Sequence, residues 1–232
     1  MPLSSIPIVA QLNWLPINLQ EAPSALPGLP LGYDAYIKVL PPLGIDPDIP
    51  IASYSFAKRT IAELNARAAF WDKYGIQQGQ PDATRLKRTS YGEVGATIGL
   101  AYTAALDSSA IQRFYGEWPP HLGSSSAFEK VFIQQLVQLL GPESPAYFYG
   151  SIEEGTYHWD EHGFPQDWLE QGSVADLLLV YQRDNKLPTY LFPADHSWCF
   201  YQGETMDWVA IGCSASLAQA LLNHPDLEAI PV

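Results

Sequence analysis

Three short runs near the C-terminus, Thr189-Tyr-Leu-Phe192, Ser197-Trp-Cys-Phe-Tyr201 and Asp207-Trp-Val-Ala-Ile211, decide the fold. Each is rich in aromatic and aliphatic residues, and each is about the length of a strand. Turn-forming residues separate them, Pro193-Ala-Asp195 and then Gly203-Glu204, and this spacing predicts an antiparallel meander. Ser214 follows as a cap for a helix at about 215–222, stopped by Asn223 and Pro225.

Upstream, 146–152 is aromatic and strand-like, and the apolar run 174–181 reads as a buried strand bounded by Arg183-Asp-Asn185. The best helical signal is at about 127–140. There Ser126 and Glu129 have capping-box spacing, and Phe128, Val131, Phe132, Leu136, Leu139 and Leu140 form an apolar stripe that ends at Gly141. A second capping box, Ser90 with Glu93, opens a helix at about 91–98. A third helix is expected at about 56–73, where Phe56, Ile61, Leu64, Ala68 and Trp71 recur at helical spacing before Gly75. Residues 107–125 read as loop. Residues 33–40 read as a strand closed by Pro41-Pro42.

Segregated helices and strands imply an α+β fold with a mainly antiparallel sheet in the C-terminal half. No internal repeat and no long Gly/Ser linker divides the chain, so 1–232 reads as one α+β domain, with any subdivision falling near 141. The first thirty residues carry six prolines and no Lys or Arg, which marks an extended arm or edge segment. Its apolar residues (Ile8, Val9, Leu12, Trp14 and Leu15) suit packing on the body.

A resemblance accompanies this pattern. The tail Phe192-Pro-Ala-Asp-His-Ser-Trp-Cys199, then Asp207-Trp-Val-Ala-Ile-Gly212, then the 217–222 helix and Pro225-Asp-Leu-Glu-Ala-Ile-Pro-Val232, resembles the end of an uncharacterised bacterial protein family. Glu143-Ser-Pro-Ala-Tyr-Phe148 and Glu153-Glu-Gly155 are similar to that family's entry into the same sheet, with a weaker echo at 91–99. The resemblance implies one α+β unit whose tail ends on a helix, and it implies no activity. In overall style the chain is also similar to bacterial immunity proteins of toxin systems.

Charge excludes whole classes of partner. Twelve Lys and Arg against 25 Asp and Glu leave a net charge of −13. Nucleic acid and anionic membrane surfaces need clustered cations and are not expected partners. The charge is also uneven. Residues 1–130 carry ten basic and eleven acidic residues, whereas 131–232 carry two (Arg183 and Lys186) and fourteen. Lys58, Arg59, Arg67, Lys73, Arg85, Lys87 and Arg88 form a basic island, and 143–176 holds eight acids and no Lys or Arg. The start of the chain lacks a basic, continuously apolar leader, and its longest aliphatic run, 177–180, cannot span a bilayer, so a cytoplasmic location is expected.

Several local patterns could carry chemistry. His158-Trp-Asp-Glu161-His162 satisfies H-x-x-E-H, in which two imidazoles one helical turn apart hold zinc and the Glu acts as base. Read that way, the chain is a metal-dependent hydrolase with His158 and His162 as ligands and Glu161 as base; the flanking Gly155, Gly163 and Pro165 argue instead for a polar hairpin tip. Gly212-Cys-Ser-Ala-Ser216 approaches the nucleophile elbow G-x-S-x-G, with His196 or His224 and Asp195 or Asp207 as paper partners, but it has Ser where the tight turn needs Gly. An ordinary helix cap at Ser214 fits better. Asp195-His196 reads as a turn making local backbone hydrogen bonds.

Cys199 and Cys213 read as buried small apolar residues, out of register for a bridge if a hairpin turns near 203–206 with Cys199 opposite about position 210. No nucleotide, calcium or C-x-x-C motif is present, so no cofactor is expected. What remains is collective. Glu153, Glu154, Trp159, Asp160 and Glu161, with Asp167, Trp168 and Glu170 beyond them, join acids and aromatics in a turn-rich stretch. That mixture suits capture of a basic protein partner by an interaction protein of immunity or regulatory type. Carbohydrate binding, with Trp faces stacking on sugar rings, is the alternative from the same residues.

Overall fold

A computed structural model of the chain describes residues 2–7, 12–16, 26 and 28–232. It is an α+β protein rich in antiparallel sheet. The chain divides into two compact units, Met1–Pro41 with Val131–Val232, and Pro42–Lys130, whereas the sequence suggested one domain with any break near 141.

The first unit is built on an eight-stranded sheet. Its strands are β1 (Ser4–Ser5), β2 (Ala35–Leu40), β6 (Pro145–Gly150), β9 (Trp168–Ser173), β10 (Tyr190–Pro193), β11 (Cys199–Tyr201), β12 (Val209–Cys213) and β13 (Glu228–Pro231). They run in the order β1-β9-β6-β10-β11-β12-β2-β13, with every neighbouring pair antiparallel. The meander read from the sequence is its β10-β11-β12 centre. Strands pleat with a period of two, so alternate residues serve two different cores. Phe148, Leu191, Phe200, Val209 and Ile211 face one core with the buried sides of α4 (Ser126–Leu140), α5 (Leu177–Asp184) and α6 (Ala215–Leu222). Tyr149, Tyr190, Phe192, Cys199, Tyr201 and Ala210 face the other, where Leu12, Leu15, Leu26 and Leu29 of the N-terminal segment pack on them. Both faces are covered, which is why these strands are apolar throughout rather than alternating. Ile8 and Val9 lie outside the described residues.

Several details differ from the sequence reading. The run 174–181 is not a strand. Val174–Asp176 is a 3-10 turn that leads into α5, opened by a capping box in which Ser173 and Asp176 exchange hydrogen bonds. β6 lies between β10 and β9, and β9 falls within the stretch read as turns. The tail ends not on a helix but on β13, which pairs with β2. Cys199 lies opposite Gly212 rather than position 210, and Cys213 points to the other face, so both thiols are free and buried. Burial raises both above the ordinary thiol range, Cys213 to about 11 with Asp34 adding to the effect.

The second unit holds a three-stranded antiparallel sheet of β3 (Leu43–Ile45), β4 (Lys87–Thr89) and β5 (Leu122–Gly123), in the order β4-β3-β5. Helix α1 (Ile61–Tyr74) begins five residues later than the periodicity suggested, because Thr60 and Glu63 form its capping box, and it ends on left-handed Gly75. Its expected core stripe is absent: no residue of α1 is buried, and Leu64 is 48% exposed. The helix is held from one side by rings instead, Phe70 against Tyr54 and Tyr74, with Phe56 stacked on Tyr115. Helix α2 (Tyr91–Thr97) has the Ser90–Glu93 box as read. Part of the predicted loop 107–125 is helix α3 (Ser108–Tyr115), capped by Asp107 and seated on fully buried Ile111.

Candidate functional site

The most exposed aromatic surface of the described chain lies between β6 and β9. Here the strands β7 (His158–Trp159) and β8 (Pro165–Gln166) form a small hairpin, with His158 opposite Gln166. Asp160 builds its turn. The Asp160 Oδ1 accepts from the backbone N–H of His162 and of Phe164, both at 2.8 Å, and the Asp160 N–H donates to the Phe164 carbonyl. The sequence His-x-x-Glu-His therefore occupies a strand and a turn rather than one face of a helix, and its two imidazoles have different partners. His162 Nε2 lies 3.5 Å from Glu161, both exposed. The His158 ring stacks on Trp168 with centroids 4.6 Å apart, and its Nε2 is 3.3 Å from Asp184. Among the described residues no three His, Cys, Asp or Glu side chains converge to hold a metal ion.

The base of the hairpin is tied down from several sides. Trp168 donates its indole N–H to the Thr156 carbonyl at 2.6 Å. Gly150 makes room for that bond, since a Cβ there would fall on the indole and the same carbonyl. Asp167 accepts from Tyr149 OH at 2.6 Å and from the Ile152 N–H at 2.7 Å. Beneath the hairpin, Arg183 donates to buried Glu170 at 2.7 Å and to Asp184 at 2.8 Å, with its guanidinium carbon 5.3 Å from the centre of the Trp168 ring. Burial acts to raise the Asp184 carboxyl, but hydrogen bonds from Arg183 and then His158 outweigh it and hold that group below the usual carboxylate range. Thr156, Tyr157, Trp168, Asp184, Lys186 and Leu187 line a cleft of about 190 Å³ at this base.

The hairpin holds its rings outward. Trp159 is 62% exposed, Phe164 66% and Tyr157 36%, and Tyr157 meets Trp159 edge to face at 5.2 Å and 90°. Of the five acidic and aromatic residues named from the sequence, Trp159, Glu153 and Glu161 are exposed. The other two serve the fold: Asp160 ties the turn, and Glu154 accepts from Tyr201 OH at 3.0 Å and from the Glu204 N–H at 2.8 Å. Trp168 and Glu170 are buried in β9. Tyr157 and Phe164 join the surface, though the sequence reading did not single them out. Their signal was position: Tyr157 stands two residues before Trp159, just ahead of β7, and Phe164 lies across the turn from it.

The remaining candidates are structural. Ser214 Oγ accepts from the Leu217 N–H as the cap of α6. Asp195 accepts from the Ser197 N–H, as a local turn should, and His196 stacks on Trp14 at 3.9 Å. His224 Nδ1 accepts from the Asp226 N–H. In the second unit the basic island is partly consumed internally: Lys58 and Arg67 converge on Glu117, and Arg85 pairs with buried Asp46 at 3.0 Å. No helix among the described residues is long and apolar enough to cross a membrane. No family model, no curated protein and no solved structure matches the chain.

Proposed function

We propose that this is a protein-interaction protein, of immunity or regulatory type, that captures a basic partner with the β7–β8 hairpin. The observation that carries the reading is a set of three exposed rings, Tyr157, Trp159 and Phe164, on a hairpin whose base is immobilised by Trp168, Asp167 and Arg183. Aromatic anchors held rigid before contact lose little entropy on binding, and such residues dominate interface energies. The surrounding charge sets the sign of the partner. Glu153 and Glu161, both exposed, lie before Tyr157 and after Trp159 in the sequence. Of the three cations in this unit, Lys38 is buried and Arg183 is paired with Glu170 and Asp184; Lys186 remains a cation at the hairpin base, against sixteen acids in the unit. A negative field of this kind accelerates encounter with a positive surface and weakens in salt.

The test is titration of the full chain with a lysine- and arginine-rich peptide at low and high salt. Expected are capture at low salt, a loss of at least about tenfold on raising the salt, and a comparable loss in a Glu153→Lys, Glu161→Lys double variant. Affinity indifferent to both changes would sink the reading.

A further inference from the structure

We infer that the exposed ring surface of Trp159, braced by Tyr157, receives an arginine side chain of the partner; the inference rests on the interaction reading above and names the group that reading leaves open. The chain twice builds the same three-part contact for its own arginines. The Arg67 guanidinium carbon lies 4.5 Å from the centre of the Trp71 ring while its NH1 reaches Glu117 at 3.1 Å. Arg183 lies 5.3 Å from the centre of the Trp168 ring while donating to Glu170 and Asp184. The two needs do not compete, because a guanidinium is planar. Its weakly hydrated face lies on an indole while its N–H groups donate in the plane to carboxylates.

At the hairpin exposed rings and exposed acids are neighbours in sequence, and no arginine among the described residues lies over the rings. Tyr157 and Trp159 meet edge to face at 5.2 Å and 90°, which covers one face of the pair with the edge of the other ring, and Trp159, 62% exposed, still offers ring surface to a cation. Glu161 follows two residues after Trp159, and Glu153 lies four residues before Tyr157, both exposed. Among the described residues, none of the cation–ring contacts involves Tyr157 or Trp159. A lysine can also lie over a ring, as Lys38 does on Trp208 at 4.5 Å, but its compact, strongly hydrated ammonium cannot stack flat on the ring and donate in the same plane to a carboxylate, so the arginine contact is the stronger one.

Two peptides of equal length and charge, one an Arg-Gly repeat and one a Lys-Gly repeat, separate the possibilities when titrated calorimetrically into the full chain at low salt. The expected result is binding of the Arg peptide about fivefold tighter than the Lys peptide. That ratio should fall to about one in Trp159→Ala and be partly kept in Trp159→Phe, with circular dichroism reporting the fold in each variant. Equal affinities in the unaltered chain, or a preference that survives Trp159→Ala, would overturn the arginine contact and leave the acidic-surface reading standing. Binding of neither peptide would overturn both.

Discussion

The two units of this chain are stabilised in different proportions. The first places a wide sheet between two apolar layers and carries sixteen acidic residues against three basic ones, the whole net charge of −13. The second has nine of each, a three-stranded sheet, and a fourteen-residue helix with nothing buried. Where one unit relies on a large area removed from water, the other has a smaller buried set, including Leu43, Leu106, Ile111 and Leu122, and adds ring contacts, caps and ion pairs. Surplus charge is easiest to tolerate on a unit whose core is deep. The unit that carries it is also the one that projects the aromatic hairpin.

The sharpest way to break this comparison is a matched pair of helix substitutions. Leu136→Ala in α4 removes a fully buried side chain and is expected to cost about 2–5 kcal/mol in urea unfolding. Leu64→Ala in α1, chemically the same change, is expected to stay within about 0.5 kcal/mol. Similar costs at the two sites would mean that α1 is not held as described.

Acid should divide the units next. Burial pushes the His121 imidazole down to about 4, with Asp46 acting in the opposite direction. The unfolded chain binds this proton near pH 6.5, so stability is fully present above that value and is lost as pH falls from 6.5 to 4, by roughly 3 kcal/mol. In the first unit Asp184 has a lowered pKa, so its contribution is present above the ordinary carboxylate range and disappears only below it. Hydrogen exchange followed between pH 7 and pH 5 should therefore loosen the β3-β4-β5 sheet before the eight-stranded one, and His121→Leu should flatten the difference.

The smallest effect concerns a cap. Thr60→Ala is expected to cost about 1 kcal/mol and to fray the start of α1, read as faster amide exchange over its first turn. With no buried residue to hold it, that helix depends on its ends more than α4 does.

Much of this was legible from the sequence because the deciding signals are local. The β10-β11-β12 meander, the Ser90–Glu93 box and the Ser214 cap each lie within a few residues of the structure they specify. The misreadings arose where a strong signal hid a weaker one. Leu177-Leu-Leu-Val180 looks like a buried strand, yet Ser173-Val-Ala-Asp176 just before it is a helix start. β9 was hidden by Glu170, a charge inside a strand that is accommodated only by Arg183, thirteen residues away. The site was legible as a composition and not as a surface. Nothing near Glu154 announces that Tyr201 OH, 47 residues on, will occupy it, or that Asp160 will spend its carboxylate on the turn.

The two cysteines, one on either face of the same pair of neighbouring strands, make the sheet its own clock. A thiol reagent can reach Cys199 only when the N-terminal layer lifts, and Cys213 only when the helical layer does. Because neither can cross-link to the other, their modification rates are independent readings. The order in which they react tells which cover of the sheet peels away first.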